Sequence, residues 1–290
     1  MRAALDVSGL RLRPARGQHF LVSRHVLERI IAAAESGPDD LILEIGAGIG
    51  TLTVALARTG ASVVAIEVDA RFIQVLRAVC APYDRVRIIH ANAMALGPAA
   101  VPAATKVVAN LPYSIASPLL INLLEAGVGR RFVVMVQEEV ARRMVARPGS
   151  KAYGLLSVAV QAHAVPSIVA RVPRAAFFPP PQVASSIVRL DVPDHPPVAR
   201  ELVPSLMRAV RAAFGQRRKM LRSALQTALA AGAAPPAIVS AAAAAEALCR
   251  AAGIDPRRRG ETLSLAEFAR LARALADREP SGLSGSPQVG

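Results

Sequence analysis

The 290-residue chain predicts an α/β fold: a mostly parallel, doubly wound sheet followed by a small all-helical C-terminal domain. Three observations carry that expectation. Short β-branched runs alternate with helically spaced apolar residues through the first two thirds of the chain. A glycine-rich turn joins the first such strand to a helix, in the manner of a ligand-binding α/β crossover. Beyond the proline-bearing stretch Asp194-His195-Pro196-Pro197 every patterned segment is helical, so a boundary is expected there. The expected division is 1–194, then 195–278, with 279–290 as a disordered tail.

Taken in order, a basic opening segment, Arg11 to Phe20, contains Gly17-Gln18-His19-Phe20-Leu21. A helix over Val26–Ala34 follows from the spacing of Val26, Leu27, Ile30 and Ile31. The strand Leu41–Ile45 carries one carboxylate, Glu44, immediately before Gly46-Ala47-Gly48-Ile49-Gly50. Glycines in that turn let the backbone bend sharply and approach a ligand closely. The spacing is G-x-G-x-G, not G-x-G-x-x-G, and no Gly-Lys-Ser/Thr follows, so a phosphate cradle is not indicated. An acid inside a core strand is costly unless it orients the loop or meets a ligand's ammonium group.

A second strand, Ser62–Ile66, ends in Glu67-Val68-Asp69, where a carboxylate can accept both hydroxyls of a ribose. Together these features favour a nucleoside ligand, and S-adenosylmethionine is one. A third strand, Val86–His90, leads to Asn92, whose amide can both donate to and accept from an adenine edge. The fourth strand, Lys106–Ala109, runs into Asn110-Leu111-Pro112-Tyr113. That tetrapeptide sets an amide, a free backbone carbonyl and an aromatic ring at the carboxyl end of a strand, where open α/β sheets bind ligands.

Further on, the sequence predicts a helix over Ser117–Glu125, a central strand over Arg131–Gln137 and helices over Glu138–Ala146 and Leu155–Ala162. The proline-rich stretch from Val172 to Val183 is expected to be a stiff extended loop that presents Phe177 and Phe178, and Ser186–Val192 an edge strand. Four helices then follow: 202–214, 220–231, 238–252 and 265–276. Between and beside them lie two basic clusters, Gln216-Arg217-Arg218-Lys219 and Pro256-Arg257-Arg258-Arg259.

Composition narrows the function classes. A net charge of +14 points to a polyanionic partner, of which nucleic acid is the commonest. Hydrophobic content of 53% excludes wholesale disorder. No apolar stretch reaches the roughly 20 residues of a membrane helix, and residues 1–17 lack a signal-peptide core, so a cytoplasmic protein away from membranes is expected. Two separated cysteines, Cys80 and Cys249, fit a reducing compartment and leave no multi-cysteine metal site.

The chain resembles the ribosomal RNA adenine dimethyltransferases of the small-subunit type. The resemblance runs from Gly17 to about Ala276 and rests on GQHFL (17–21), LEIGAGIGTLT (43–53), IEVD (66–69), NLPY (110–113), MVQEEVARRM (135–144) and PGSKAYGLLSV (148–158). AFFPPPQVASSIVRL (176–190), FGQRRKMLRSAL (214–225) and IDPRRRGETLSLAEFARLA (254–272) extend it to the C-terminal region. It implies a Rossmann-like class I methyltransferase domain that takes S-adenosyl-L-methionine through His19, Leu21, Gly46, Glu67, Asn92 and Asn110. Glu44 and Gly48 join that set from the residue reading. Two positions depart from the family's commoner pattern, which has Asn at 19 and Asp at 92.

The resemblance further implies an adenine amine held by Asn110 and the Leu111 or Pro112 carbonyl, and stacked on Tyr113 with Phe177 as the second face. It implies no metal. Arg217, Arg218, Lys219, Arg222, Arg257, Arg258 and Arg259 are expected to contact RNA in an immature small ribosomal subunit, with the protein acting as a monomer. The rival expectations are a non-catalytic assembly or transcription factor on the same fold and a DNA adenine methyltransferase.

Overall fold

A computed structural model describes residues 19–95, 104–113, 115–231 and 235–278, with side chains from 240 onward in the last segment. Residues 1–18, which include Gly17, Gln18 and all of the opening segment before His19, and the expected tail from Glu279 lie outside the described residues. Two compact units emerge. One takes in the chain up to Val145 together with His163–Asp194, and the other Ala146–Ala162 together with the chain from His195 onward.

The first unit is a seven-stranded sheet with a two-stranded ribbon beside it. Its strands are β2 (Leu41–Ile45), β3 (Ser62–Glu67), β4 (Val86–His90), β5 (Lys106–Asn110), β6 (Arg131–Gln137), β7 (Val165–Val172) and β9 (Ser185–Asp191). The order is β4-β3-β2-β5-β6-β9-β7. The first five are mutually parallel, and β9 runs antiparallel between β6 and β7. The strands Leu41–Ile45, Val107–Ala109 and Phe132–Val136 are buried almost throughout, which is why they read as continuous apolar runs.

Helices α1 (Arg24–Ala34), α2 (Thr51–Ala57), α3 (Ala70–Cys80), α4 (Ala116–Glu125) and α5 (Glu138–Met144) complete the unit. Ser23 caps α1 by accepting the Val26 N–H, and Val26, Ile30, Ala33 and Ala34 form its buried face. The chain runs from β2 outward to β3 and β4, then returns to place β5 on the other side of β2. That reversal opens a crevice at the carboxyl ends of β2 and β5, the position where open α/β sheets hold ligands.

Two expectations need correcting in this unit. Residues 186–192 were expected at an edge, yet β9 is paired on both sides. The edge is β7, a strand that the sequence reading passed over. Its Pro166 lies near the strand start, where a missing donor is tolerated on an edge. The stretch after Val172 is also less irregular than expected. It forms a 3₁₀ turn over Arg174–Ala176 and then β8 (Phe177–Phe178), which pairs antiparallel with β1 (Phe20–Leu21).

The second unit consists of α6 (Leu155–Gln161), α7 (Val203–Gly215), α8 (Leu221–Ala230), α9 (Pro235–Ala251) and α10 (Leu265–Ala276). Helix α6 was expected with the sheet. Three contacts tie its region to the C-terminal helices instead: Tyr153 Oη donates to the Leu263 carbonyl at 2.9 Å, Gly149 N to Glu261 O at 2.7 Å, and Arg217 Nη2 to Lys151 O at 2.9 Å. Tyr153 is fully buried and stacks edge-on against Phe214, which in turn faces Phe268. Gly260 has no room for a side chain, since a Cβ would meet Ala213 Cβ at 2.7 Å. Among the described residues no helix is long and apolar enough to cross a membrane.

Candidate active site

A cavity of about 450 Å³ lies in the first unit at the carboxyl ends of β2, β3 and β5. Its floor is the glycine turn. Gly46, Gly48 and Gly50 take φ values of 75°, 56° and 86°, a left-handed geometry that favours glycine. Gly48 is further constrained, because a Cβ there would lie 2.9 Å from the Phe20 ring. Phe20 itself packs edge-on against Phe72 at 5.4 Å, so an apolar wall closes one side.

Two carboxylates face this cavity in opposite states. Glu67, at the end of β3, accepts the Gly48 N–H at 2.7 Å on Oε2 and the Asp69 N–H at 2.8 Å on Oε1. It is therefore held in place with lone pairs to spare. Glu44 is 1% exposed, and its Oε2 is buried without a hydrogen-bond partner. Burial pushes its pKa up to about 8, the Glu67 charge adds to the rise, and the Thr53 hydroxyl opposes it. A buried acid left incomplete is costly, and a cationic ligand group in the cavity would complete it. The residues present thus fit an amino-acid-bearing nucleoside: an ammonium partner at Glu44, an oriented carboxylate at Glu67 for ribose hydroxyls, and glycine backbone between them.

Next to Gly46, at the end of the strand paired with β2, β5 delivers Asn110 and Pro112 to the cavity. Asn110 Nδ2 donates to the His19 carbonyl at 3.1 Å, which leaves the side-chain oxygen as an acceptor. Pro112's carbonyl already accepts the Ile115 N–H at 3.1 Å. Leu111 is buried and anchors the turn through its N–H to the Met135 carbonyl at 3.2 Å. Tyr113 is half-buried beside His19, and its hydroxyl lies 2.8 Å from Ser185 Oγ. Burial raises the Tyr113 phenol pKa, so the ring is neutral.

Of the expected ligand residues, His19, Leu21, Glu44, Gly46, Gly48, Glu67 and Asn110 all line this one cavity. Asn92 does not. It is exposed, and its Oδ1 is occupied by the Met94 N–H at 3.0 Å in a local turn. Phe177 was expected to face the base, but it is 3% exposed and packed into the core with Leu21, Val26 and Ile30. Residues that the sequence reading did not single out also contribute: Phe20 and Phe72 as the apolar wall, and Ser185 behind Tyr113. Phe20 and Ser185 had a signal in their places in the GQHFL and AFFPPPQVASSIVRL motifs, and Phe72 had none.

The basic residues of the second unit divide in two. Arg257 pairs with Asp255, Arg258 with Glu267, Arg217 with Glu261 and Arg222 with Glu246. The Arg258 guanidinium, the main cause, holds the Glu267 carboxyl at about 2, and that carboxyl also closes the cap of α10 by accepting the Ser264 N–H. Arg218, Lys219 and Arg259 are exposed and make no ion pair among the described residues. They are the free cations of the set. No three of His, Cys, Asp or Glu gather as metal ligands among the described residues.

Comparison with known proteins agrees with this geometry. The sequence profile of the family described as "Ribosomal RNA adenine dimethylase" matches residues 9–266. A protein of Geobacillus kaustophilus named "Ribosomal RNA small subunit methyltransferase A" is 41% identical over 94% of this chain and 94% of its own. One of the same name from Moorella thermoacetica is 42% identical over 94% and 96%. Among solved structures, a dimethyladenosine transferase from Plasmodium falciparum superimposes with a TM-score of 0.76 at 26% identity, covering 89% of this chain and 98% of that one. The 23S rRNA methyltransferase ErmE gives 0.67 at 25% identity, over 89% and 99%. With the cavity, the glycine turn and the Asn110 turn described, the matches close the question of descent: this chain belongs to the ribosomal RNA adenine dimethylase family.

Proposed function

We propose that this protein transfers methyl groups from S-adenosyl-L-methionine to the exocyclic amines of adenines in small-subunit ribosomal RNA, twice on each nitrogen. The relatives near 40% identity carry the small-subunit name over nearly their whole length, whereas the 23S enzyme is similar only at 25%. The single observation that carries the chemistry is Asn110: its side-chain nitrogen donates to the His19 carbonyl, which orients the amide so that its oxygen is an acceptor at the cavity wall.

When bound, the donor supplies an electrophilic methyl on a sulfonium sulfur. Glu44 and Glu67 hold its ammonium and ribose ends, with the backbone of Gly46 and Gly48 beneath. The adenine amine is a poor nucleophile because its lone pair is delocalised into the ring. In the first transfer Asn110 Oδ1 and the Leu111 or Pro112 carbonyl would accept the amine's two hydrogens and turn the lone pair out of conjugation. In the second, the one remaining hydrogen would keep one of these acceptors. In each, the N–CH3 bond forms as the S–CH3 bond breaks, and one amine proton passes to solvent. Tyr113 stacks on the base and fixes its plane. Catalysis is then mainly positioning, which needs no covalent intermediate.

Arg218, Lys219 and Arg259 serve as phosphate contacts, with the paired arginines of the two clusters in a supporting role. We read the protein as a monomer acting on immature small subunits in the cytoplasm, a site of action that the small-subunit rRNA methyltransferase relatives support. An intact Glu44, glycine turn and Asn110 favour an enzyme over a fold retained only for RNA binding. The test is Asn110→Ala. Methyl transfer is expected to fall by about 1,000-fold or more, as for loss of a transition-state acceptor, with RNA binding retained. Unchanged transfer would overturn the role of Asn110.

A further inference from the structure

Tyr113 is gripped at two points, by Ser185, which has no assigned role, and by His19, so far read only as a residue of the donor cavity. Its hydroxyl lies 2.8 Å from the Oγ of Ser185, which is fully buried at the start of β9. One face of its ring lies against the His19 imidazole, with centroids 5.9 Å apart and planes 28° from parallel. His19 is itself fixed. Its Nδ1 lies 2.8 Å from the Pro179 carbonyl, which can only accept, so Nδ1 carries the proton. Its own carbonyl accepts the Asn110 amide. One residue thus touches both side chains of the base-holding turn.

The spacing decides where a base can go. Two rings that sandwich a base stand about 7 Å apart, twice a contact distance of about 3.5 Å. The gap of 5.9 Å between His19 and Tyr113 is too narrow and tilted for that. Phe177, the other ring expected to face the base, is buried in the core. We infer that the target adenine stacks on the Tyr113 face opposite His19, and that His19 and Ser185 are positioning residues that hold the Tyr113 ring in plane for it. The inference rests on the reading of Asn110 and Tyr113 as the base-holding turn. Tyr113 has two side-chain torsions to fix, and the clamp fixes them before substrate arrives, which removes that ordering from the cost of binding.

The test uses the full-length protein and a small-subunit RNA fragment with 2-aminopurine in place of the target adenine, whose fluorescence is quenched by stacking on Tyr113. Methyl transfer to the unmodified fragment and donor affinity are measured alongside. Ser185→Ala and Tyr113→Phe remove the same hydrogen bond from its two ends. Each is expected to lower kcat about five- to tenfold and to lose part of the quench, and the double variant to be no worse than either single. Tyr113→Phe leaves the buried strand untouched, so a folding defect in Ser185→Ala does not decide the outcome. His19→Ala is expected to lose about tenfold in kcat with a weakened quench, and His19→Phe, which keeps a ring, to recover most of both.

Additive losses at 185 and 113, or a quench unchanged in Ser185→Ala and His19→Ala, overturn the clamp. If Tyr113→Ala quenches as the wild type does, the assignment of the turn falls and the clamp with it. If Tyr113→Ala alone loses the quench, the turn stands and only the clamp falls.

Discussion

In the cavity of the first unit, Glu44 Oε2 is buried with no partner. On the second unit, four of the seven arginines and lysines expected to meet RNA already rest on a carboxylate of the same unit. Each region therefore holds both partnered and unpartnered charged groups, Glu67 beside Glu44 in one and the four paired arginines beside three free cations in the other, but the cost of leaving one unpartnered differs. In a buried site an unmet hydrogen bond is costly, so the fold keeps one where a ligand completes it. On an exposed helical surface, pairing costs little and is common, so a run of arginines overstates the charge available to a partner. Residues that lack a partner, Glu44 in one region and Arg218, Lys219 and Arg259 in the other, are where each region turns outward.

The sharpest way to break this comparison is Glu44→Gln. Donor affinity is expected to fall about 100-fold at pH 8, measured by calorimetry, for loss of a charged buried hydrogen bond. Stability should move the other way. Glu44 has an ordinary value of 4.5 and a folded value of about 8. Between those values the folded state keeps a proton that the unfolded state has released, so stability falls as pH rises, by about 1.4 kcal/mol per pH unit, and levels off above the folded value. The Gln variant lacks that slope and is expected to melt higher at pH 8. Wild-type donor affinity, taken relative to Glu44→Gln so that the donor's own ionisation cancels, should rise with pH up to about 8.

The cationic surface comes next. Replacing Arg218, Lys219 and Arg259 together by Ala is expected to reduce the slope of log affinity for RNA against log salt by about two to three. Arg258→Ala should change that slope less and cost about 1–2 kcal/mol of stability by leaving Glu267 without its partner. Arg258 holds the Glu267 carboxyl down at about 2, below its ordinary 4.5. That contribution is present above pH 4.5 and is lost as pH falls through about 2, so the two proteins should converge in strong acid. Equal slopes for the two variants would mean that local pairing does not govern RNA contact. Asn92→Asp gives the smallest effect. Asn92 is exposed and committed to the Met94 N–H, so donor affinity is expected to change less than about threefold.

The sequence made the cavity legible because its parts are local. The glycine turn, Glu44 before it and the acid at the end of β3 each lie within a few residues of a strand end, and short-range rules place them. What stayed hidden depends on distant partners or on a single residue of register. Helix α6 belongs with the C-terminal helices because Tyr153 reaches Leu263, 110 residues away. In the two-residue strand β8, successive side chains face opposite ways, so Phe177 enters the core while Phe178 stays half-buried against Ile49 and Phe72. Adjacent aromatics after a proline-rich run carry no mark of which is which. The basic clusters were visible as runs, but whether Arg258 is a phosphate contact or a helix-end staple depends on Glu267.

The most direct measurement incubates the protein with isotopically labelled S-adenosylmethionine and small ribosomal subunits that lack adenine methylation, then maps the labelled bases and weighs the nucleosides. Doubly methylated adenines confined to small-subunit RNA, and their absence with Asn110→Ala, are the predicted result. Label in large-subunit RNA or in DNA, or transfer undiminished in the variant, would contradict it.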